Sequence, residues 1–312
     1  MVKVCPKCNK KGIVKNWIQR WKQAYKCGLC HHRFIWKWRD RWEWSSIAKL
    51  RREHIAWKQT YQQLWDKLWK DKRTIQRMFD REIIRTDEFY NERLNKIPII
   101  IILDCTWFGN TGFIVIKSHE HMKVIYARAF EWEENVKLYV DAVSYLKVRW
   151  RIIIWIVCDW LKWLRQALVG IPFQSCQFHQ VKNIVKYLTK KPKNEDSREL
   201  LNITYELKNS TYKDFDKMLM KREEKYESSL NEKTYSNIWK RKRWYTHRRL
   251  RSAYKSLKNN MCVLFTYKIY DGMPNTTNEL EWYFKLIKAK TNIHNGLEEE
   301  RKKRVVLGLF SI

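Results

Sequence analysis

Glycine is scarce in this chain. There are 8 in 312 residues, where average usage near 7% would give roughly 22. Acid is scarce as well: 33 Asp and Glu face 64 Lys and Arg, a formal net charge of +31. Uninterrupted apolar runs never exceed strand length, which excludes a membrane-spanning helix of about 20 residues. A membrane-surface role would want an amphipathic anchor. The shortage of acid points to a polyanionic partner, and nucleic acid fits best because phosphate neutralisation drives the affinity of such proteins. No signal-peptide pattern precedes Cys5, so the chain is expected inside a cell, cytoplasmic and nucleoid-associated. There its eight cysteines would be thiols or metal ligands rather than disulfides. Set against the missing glycine are 18 tryptophans.

Among what is present, the run Ile97-Pro-Ile-Ile-Ile-Ile-Leu-Asp104 is the organising stretch. An apolar segment of this length suits a strand buried on both faces, with Pro98 tolerated at its start. It closes on a carboxylate, which is costly in such a place unless hydrogen-bonded or holding a cation. A second run, Ile152-Ile-Ile-Trp-Ile-Val-Cys-Asp159, closes the same way. Two neighbouring strands delivering Asp104 and Asp159 at one end would make an oxygen-ligand site for Mg2+ or Mn2+; helix or turn capping is the plainer alternative for either alone. Between them, Gly112–Lys117 and Lys123–Phe130 alternate as strands of a meander, and a helix is expected over roughly 134–148. Strand-strand-strand-helix-strand, with acids on the first and fourth strands, is the order of an α/β ribonuclease H-like core. His119 and His121 sit at the hairpin tip, where a solvated turn is favoured over a metal pair.

The N-terminal segment carries Cys5-Pro-Lys-Cys8 and Cys27-Gly-Leu-Cys30, two knuckles whose four thiolates suit tetrahedral Zn2+ in a zinc ribbon. His31 and His32 could compete as ligands, but Cys30 is the better fourth. Residues 59–68 and 72–79 then have the cadence of a helix-turn-helix, with Trp69 where a turn usually has glycine. Arg73, Thr74, Gln76 and Arg77 would face DNA bases from the second helix, although an ordinary helical hairpin has the same pattern. Much later, Trp239-Lys-Arg-Lys-Arg-Trp-Tyr-Thr-His-Arg-Arg-Leu-Arg251 interleaves aromatics with Arg241, Lys242, Arg243, His247, Arg248, Arg249 and Arg251. That mixture suits phosphate contact and base stacking. Asn278 can cap a helix bearing Glu279 and Glu281 in its first turn, where the helix dipole alone would favour acids.

Over essentially its whole length the chain resembles bacterial insertion-sequence transposases related to the Mutator-like elements. The resemblance is carried by Leu103-Asp-Cys-Thr-Trp-Phe-Gly109, Val157-Cys-Asp159, Cys176-Gln-Phe-His179, Tyr245-Thr-His-Arg-Arg-Leu-Arg-Ser-Ala-Tyr254 and Thr276-Thr-Asn-Glu-Leu-Glu281. It implies a ribonuclease H-like core with an Asp104, Asp159, Glu281 triad holding two Mg2+ or Mn2+ ions, and Cys176 and His179 lining the site. An all-helical insertion would precede the Glu. It further implies DNA transposition by two-metal phosphoryl transfer, cutting element ends and joining the 3′-hydroxyls to target DNA. The partners would be double-stranded terminal repeats and target DNA, with the protein acting as a homo-oligomer on them and without membrane involvement. The expected division is a zinc ribbon over 1–40, a helix-turn-helix over 41–95, and the catalytic domain over 96–312 with its insertion at about 180–275. Glu279 is the second candidate for the third acid. A catalytically inactive DNA-binding descendant and a structure-specific nuclease on the same fold are the alternatives.

Trp160, Trp163 and Trp282 stand where relatives in that group have glycine. The glycine deficit and tryptophan excess roughly cancel. This predicts that many tryptophans were encoded by UGA codons read as glycine in the source cell, whereas Trp107 and Trp244 fit the family as they stand.

Overall fold

The computed structural model describes residues 5–8, 10–19, 22–35, 50, 53–54, 59, 61–68, 71–82, 88–91, 98–149, 152–159, 164–235, 243–292 and 297–311. Trp69, Trp160, Trp163, Arg241 and Lys242 lie outside them.

At the N-terminus, β1 (Ile13–Gln19), β2 (Lys22–Cys27) and β3 (Arg33–Ile35) form an antiparallel three-stranded sheet in chain order. Then come α1 (Tyr61–Leu68) and α2 (Lys72–Glu82), packed through buried Leu64, Ile75 and Phe79. Asp71 starts α2, its Oδ1 accepting from the Arg73 amide at 2.8 Å, the usual way an Asp satisfies a free donor at a helix start.

Among the described residues the central sheet has six strands in the order β4-β7-β6-β5-β8-β9: β4 (Glu88–Tyr90), β5 (Ile99–Phe108), β6 (Thr111–Ser118), β7 (Lys123–Phe130), β8 (Ile153–Cys158) and β9 (Phe173–Ser175). Strands β5, β6 and β7 form the antiparallel meander, and β8 and β9 run parallel to β5. This mixed α/β sheet reproduces the strand and helix order read from the sequence, with α3 (Val136–Val148) as the crossover. One expectation is corrected. Asp104 does not end its strand, because β5 continues to Phe108 opposite Thr111 of β6. On its other edge the parallel ladder stops at Leu103 opposite Cys158, so Asp104 is the first residue beyond that pairing. Gly109, with φ +68°, makes the tight β5–β6 turn. Gly112 lies under the Phe130 ring, which leaves no room for a Cβ.

Both faces of β5 are covered, which is why its sequence shows no alternation. One face carries Ile99, Ile101 and Leu103 against Tyr139, Val143 and Leu146 of α3. The other carries Ile100 and Ile102 against Leu280, Phe284 and Ile287 of α10 (Asn278–Thr291) and Val306 and Phe310 of α11 (Glu299–Phe310). Each such side chain contributes about 1.5–3 kcal/mol on burial.

Between β9 and α10 lies a region with its own core, made by α5 (Gln177–Leu188), α6 (Glu195–Tyr205), α7 (Tyr212–Lys225), α8 (Glu227–Asn231) and α9 (Arg248–Leu264). A short helix α4 (Leu164–Ala167) precedes β9. The region is not all-helical. Strands β10 (Lys233–Tyr235) and β11 (Arg243–Tyr245) pair antiparallel, as the cluster of Thr and aromatic residues there favours.

Candidate active site

Asp104 of β5, His179 of α5 and Glu281 of α10 each bring a ligand atom within 4.8 Å of the other two. His179 Nε2 stands 3.0 Å from Glu281 Oε1, and the same oxygen accepts from Lys182 Nζ at 2.7 Å. Asp104 is buried and its Oδ1 accepts from the Cys105 amide at 2.9 Å. Burial pushes its carboxyl up to about 7; the His179 charge opposes this, and those of Asp159 and Glu281 add to it. Asp159 follows β8 directly and is half-buried. Its carboxylate is not within that radius of all three groups, yet it acts on both Asp104 and His179 through its charge. Burial pulls the His179 value down, but its contact with the Cys176 sulfur and the Asp159 and Asp104 charges raise it to about 9.

Cys176 and His179 take different roles. Cys176 is fully buried at the N-terminus of α5, and its Sγ accepts from the Thr277 amide at 3.2 Å and the Thr277 hydroxyl at 3.4 Å. The Thr277 oxygen lies 3.3 Å from His179 Nδ1. A protonated His179 therefore donates from Nδ1 to Thr277 and from Nε2 to Glu281, and the C-x2-H spacing sews the start of α5 to the start of α10. Neither Thr277 nor Lys182 stood out in the sequence reading. For Lys182 the signal was there: it falls three residues after His179, one turn along the same helical face.

Glu279 faces elsewhere. Two residues along a helix is a turn of about 200°, so its side chain leaves α10 on the side opposite Glu281. It meets Lys117 Nζ at 2.7 Å and His119 Nδ1 at 3.0 Å. His119, read as a solvated turn residue, is half-buried in this contact. The Asp104 and Glu281 carboxylates, with Asp159 close by, are oxygen donors suited to a hard divalent cation, while the protonated His179 holds Glu281.

The second cluster is that of Cys5, Cys8, Cys27 and Cys30, whose sulfurs all lie within 4.8 Å of one another. Cys5–Cys30 and Cys8–Cys27 are 3.6 and 3.7 Å apart. A tetrahedron with Zn–S bonds of about 2.3 Å has S–S edges of about 3.8 Å, so these four could hold zinc with little movement. The amides of Cys30 and Leu29 pull the Cys27 thiol down to about 6.

Of the nucleic-acid candidates, Arg73, Thr74 and Arg77 are exposed on α2, while Gln76 is half-buried. Arg243, Arg248 and Arg249 are exposed around the β10–β11 hairpin, next to Trp244, itself half exposed. His247 pairs with Glu232 at 3.1 Å. Arg251 turns inward, donating to Leu230 O at 2.8 Å and lying 3.9 Å over the Tyr245 ring. Among the described residues no helix is long and apolar enough to cross a membrane.

No family model and no curated protein matches the chain. Among solved structures it is similar to the large terminase nuclease from thermophilic phage G20c, at 9% identity over 60% of this chain and 91% of that one, with a TM-score of 0.22. That overlap is too slight to assign a reaction.

Proposed function

We propose that the chain is a metal-dependent DNA transposase with a ribonuclease H-like core, in which Asp104, Asp159 and Glu281 are the catalytic acids. The observation that carries this reading is the convergence of Asp104, His179 and Glu281 from three elements distant in sequence. It is joined by the strand order of the sheet and by the +31 charge. Two divalent ions bound by the acids would supply the charge neutralisation that in-line attack on phosphorus requires. The chain's own side chains orient and desolvate. Asp104 is held by the Cys105 amide, Glu281 by His179 and Lys182, and His179 by Thr277. The zinc ribbon and the helix pair α1–α2 are the DNA-recognition modules in this reading, and Arg243, Arg248 and Arg249 contact phosphate. The test is joining of labelled DNA ends, taken from the sequence flanking the gene, to a plasmid in Mg2+. Joined products support transposition; cutting without joining makes the chain a nuclease, and binding without either makes it an inactive descendant.

The tryptophan reading belongs with this proposal. Trp132 is 87% exposed with φ +80°, a backbone conformation that suits glycine and is an outlier for so bulky a residue. Trp282, beside Glu281, is 66% exposed. The Trp132 backbone supports glycine in the source cell; Trp282 lies within α10, where helical backbone gives glycine no advantage. UGG codons at 160, 163 and 282, or tryptophan in peptides from native cells, would end the idea.

A further inference from the structure

Glu279 and Glu281 leave the first turn of α10 in opposite directions, and each is gripped by a different wall. Glu281 meets His179 and Lys182 of α5. Glu279 meets Lys117, near the end of β6, and His119 in the turn that follows. Lys117 has a side chain only 8% exposed. Its ammonium has Glu279 and, more weakly, the Met122 sulfur at 3.8 Å as hydrogen-bond acceptors. A nearly buried ammonium demands a carboxylate partner, so the start of α10 cannot rotate or slide without stranding that charge.

We infer that Lys117 and His119, acting through Glu279, are positioning residues that set the rotation of α10 and so deliver Glu281 to Asp104. The inference rests on the reading of Asp104 and Glu281 as a divalent-cation site. Lys117 sits on β6 opposite Ile102, two residues before Asp104 on β5, so the clamp and the acid site share one strand pair. Rotation of the helix about its axis is opposed on one side by Glu279–Lys117 and on the other by Glu281–His179. Leu280 between them is fully buried against the sheet. The acid at 279 is thereby given a task distinct from that at 281.

The experiment is Mn2+ titration of the zinc-loaded full chain, followed by the electron paramagnetic resonance signal of free Mn2+, with Glu281→Gln as the reference for loss of the site. Lys117→Met is expected to weaken Mn2+ binding about tenfold, the scale of outer-sphere changes at metal sites, while zinc content stays at one per chain. Lys117→Met/Glu279→Gln should be no weaker than Lys117→Met alone, because both changes break one contact. A merely structural salt bridge would lower the melting temperature and leave Mn2+ affinity alone. Affinity within twofold of wild type in Lys117→Met overturns the inference. Should that variant not fold, Glu279→Gln is the second variant: weakened binding supports the inference and unchanged binding overturns it. Wild-type protein that takes up no Mn2+ overturns the acid-site reading and this inference with it, a result distinct from uptake that ignores Lys117.

Discussion

Among the described residues stand two clusters of ligand-type side chains, and they are built in opposite ways. The cysteine cluster comes from two short knuckles of one small sheet, and its four sulfurs already stand at near-tetrahedral spacing. The acid cluster draws Asp104 from mid-strand, His179 from the first turn of α5 and Glu281 from the first turn of α10, with a whole helical region intervening in sequence. Four like ligands with no open position make a closed, structural site. The acid cluster instead gathers two carboxylates and a histidine from separate elements, with Asp104 buried and its carboxyl pushed up to about 7. The first should hold its small domain together, and the second should matter for chemistry while the fold survives without it.

The sharpest way to break this contrast is to exchange the outcomes. Cys27→Ser should remove zinc and unfold the β1–β3 unit, since structural zinc contributes roughly 10 kcal/mol or more to folding of such units. The thermal transition of the central sheet should stay in place. Elemental analysis and calorimetry read both, and full zinc content in the variant would refute the assignment.

Asp104→Asn and Glu281→Gln should do the reverse, lowering strand joining at least about a thousandfold, roughly 4 kcal/mol, with zinc content and DNA binding unchanged. If Glu279→Gln abolishes joining while Glu281→Gln does not, the third acid has been misassigned.

A pH series sharpens the contrast at the acid site. A cation needs the Asp104 carboxylate, and a proton occupies it below about 7. Mg2+ affinity measured by calorimetry should therefore fall as pH drops through 7, approaching tenfold per unit. With His179 charged and holding Glu281, affinity should level off above 7. A rise continuing to about 9, the His179 value, would make that imidazole a ligand.

The cysteine cluster was legible because a closed local site writes its ligand spacing directly into the sequence. The acids were legible in part, since apolar runs ending in Asp104 and Asp159 mark adjacent strands. The face of α10 that meets the sheet is legible as Leu280, Phe284 and Ile287 at helical spacing, but the pairing of Glu279 with Lys117, far from it in sequence, is announced by no periodicity. The continuation of β5 past Asp104 likewise depends on which neighbour each strand edge has. The β10–β11 hairpin falls where the resemblance implies an all-helical insertion, and its Lys and Arg run is read for phosphate contact rather than for strands.

The smallest expected effect separates inward from outward arginines near that hairpin. Arg251→Ala should cost about 1–2 kcal/mol through its hydrogen bonds to Leu230 and Asn231. Arg249→Ala should change stability by no more than about 0.5 kcal/mol, while lowering the salt dependence of DNA binding by about one unit of slope. Urea melts and filter-binding titrations distinguish the two.

Whether the acid cluster drives DNA strand joining is decided by one assay. Labelled ends from the gene's flanking sequence and a target plasmid are incubated in Mg2+ with the chain as written, with its Trp160→Gly/Trp163→Gly/Trp282→Gly form, and with Asp104→Asn in each. Mg2+-dependent joined products are expected from the glycine form, abolished by Asp104→Asn while the ends remain bound. Joining that persists in Asp104→Asn or in chelator, or no joining by either parent form, would contradict it.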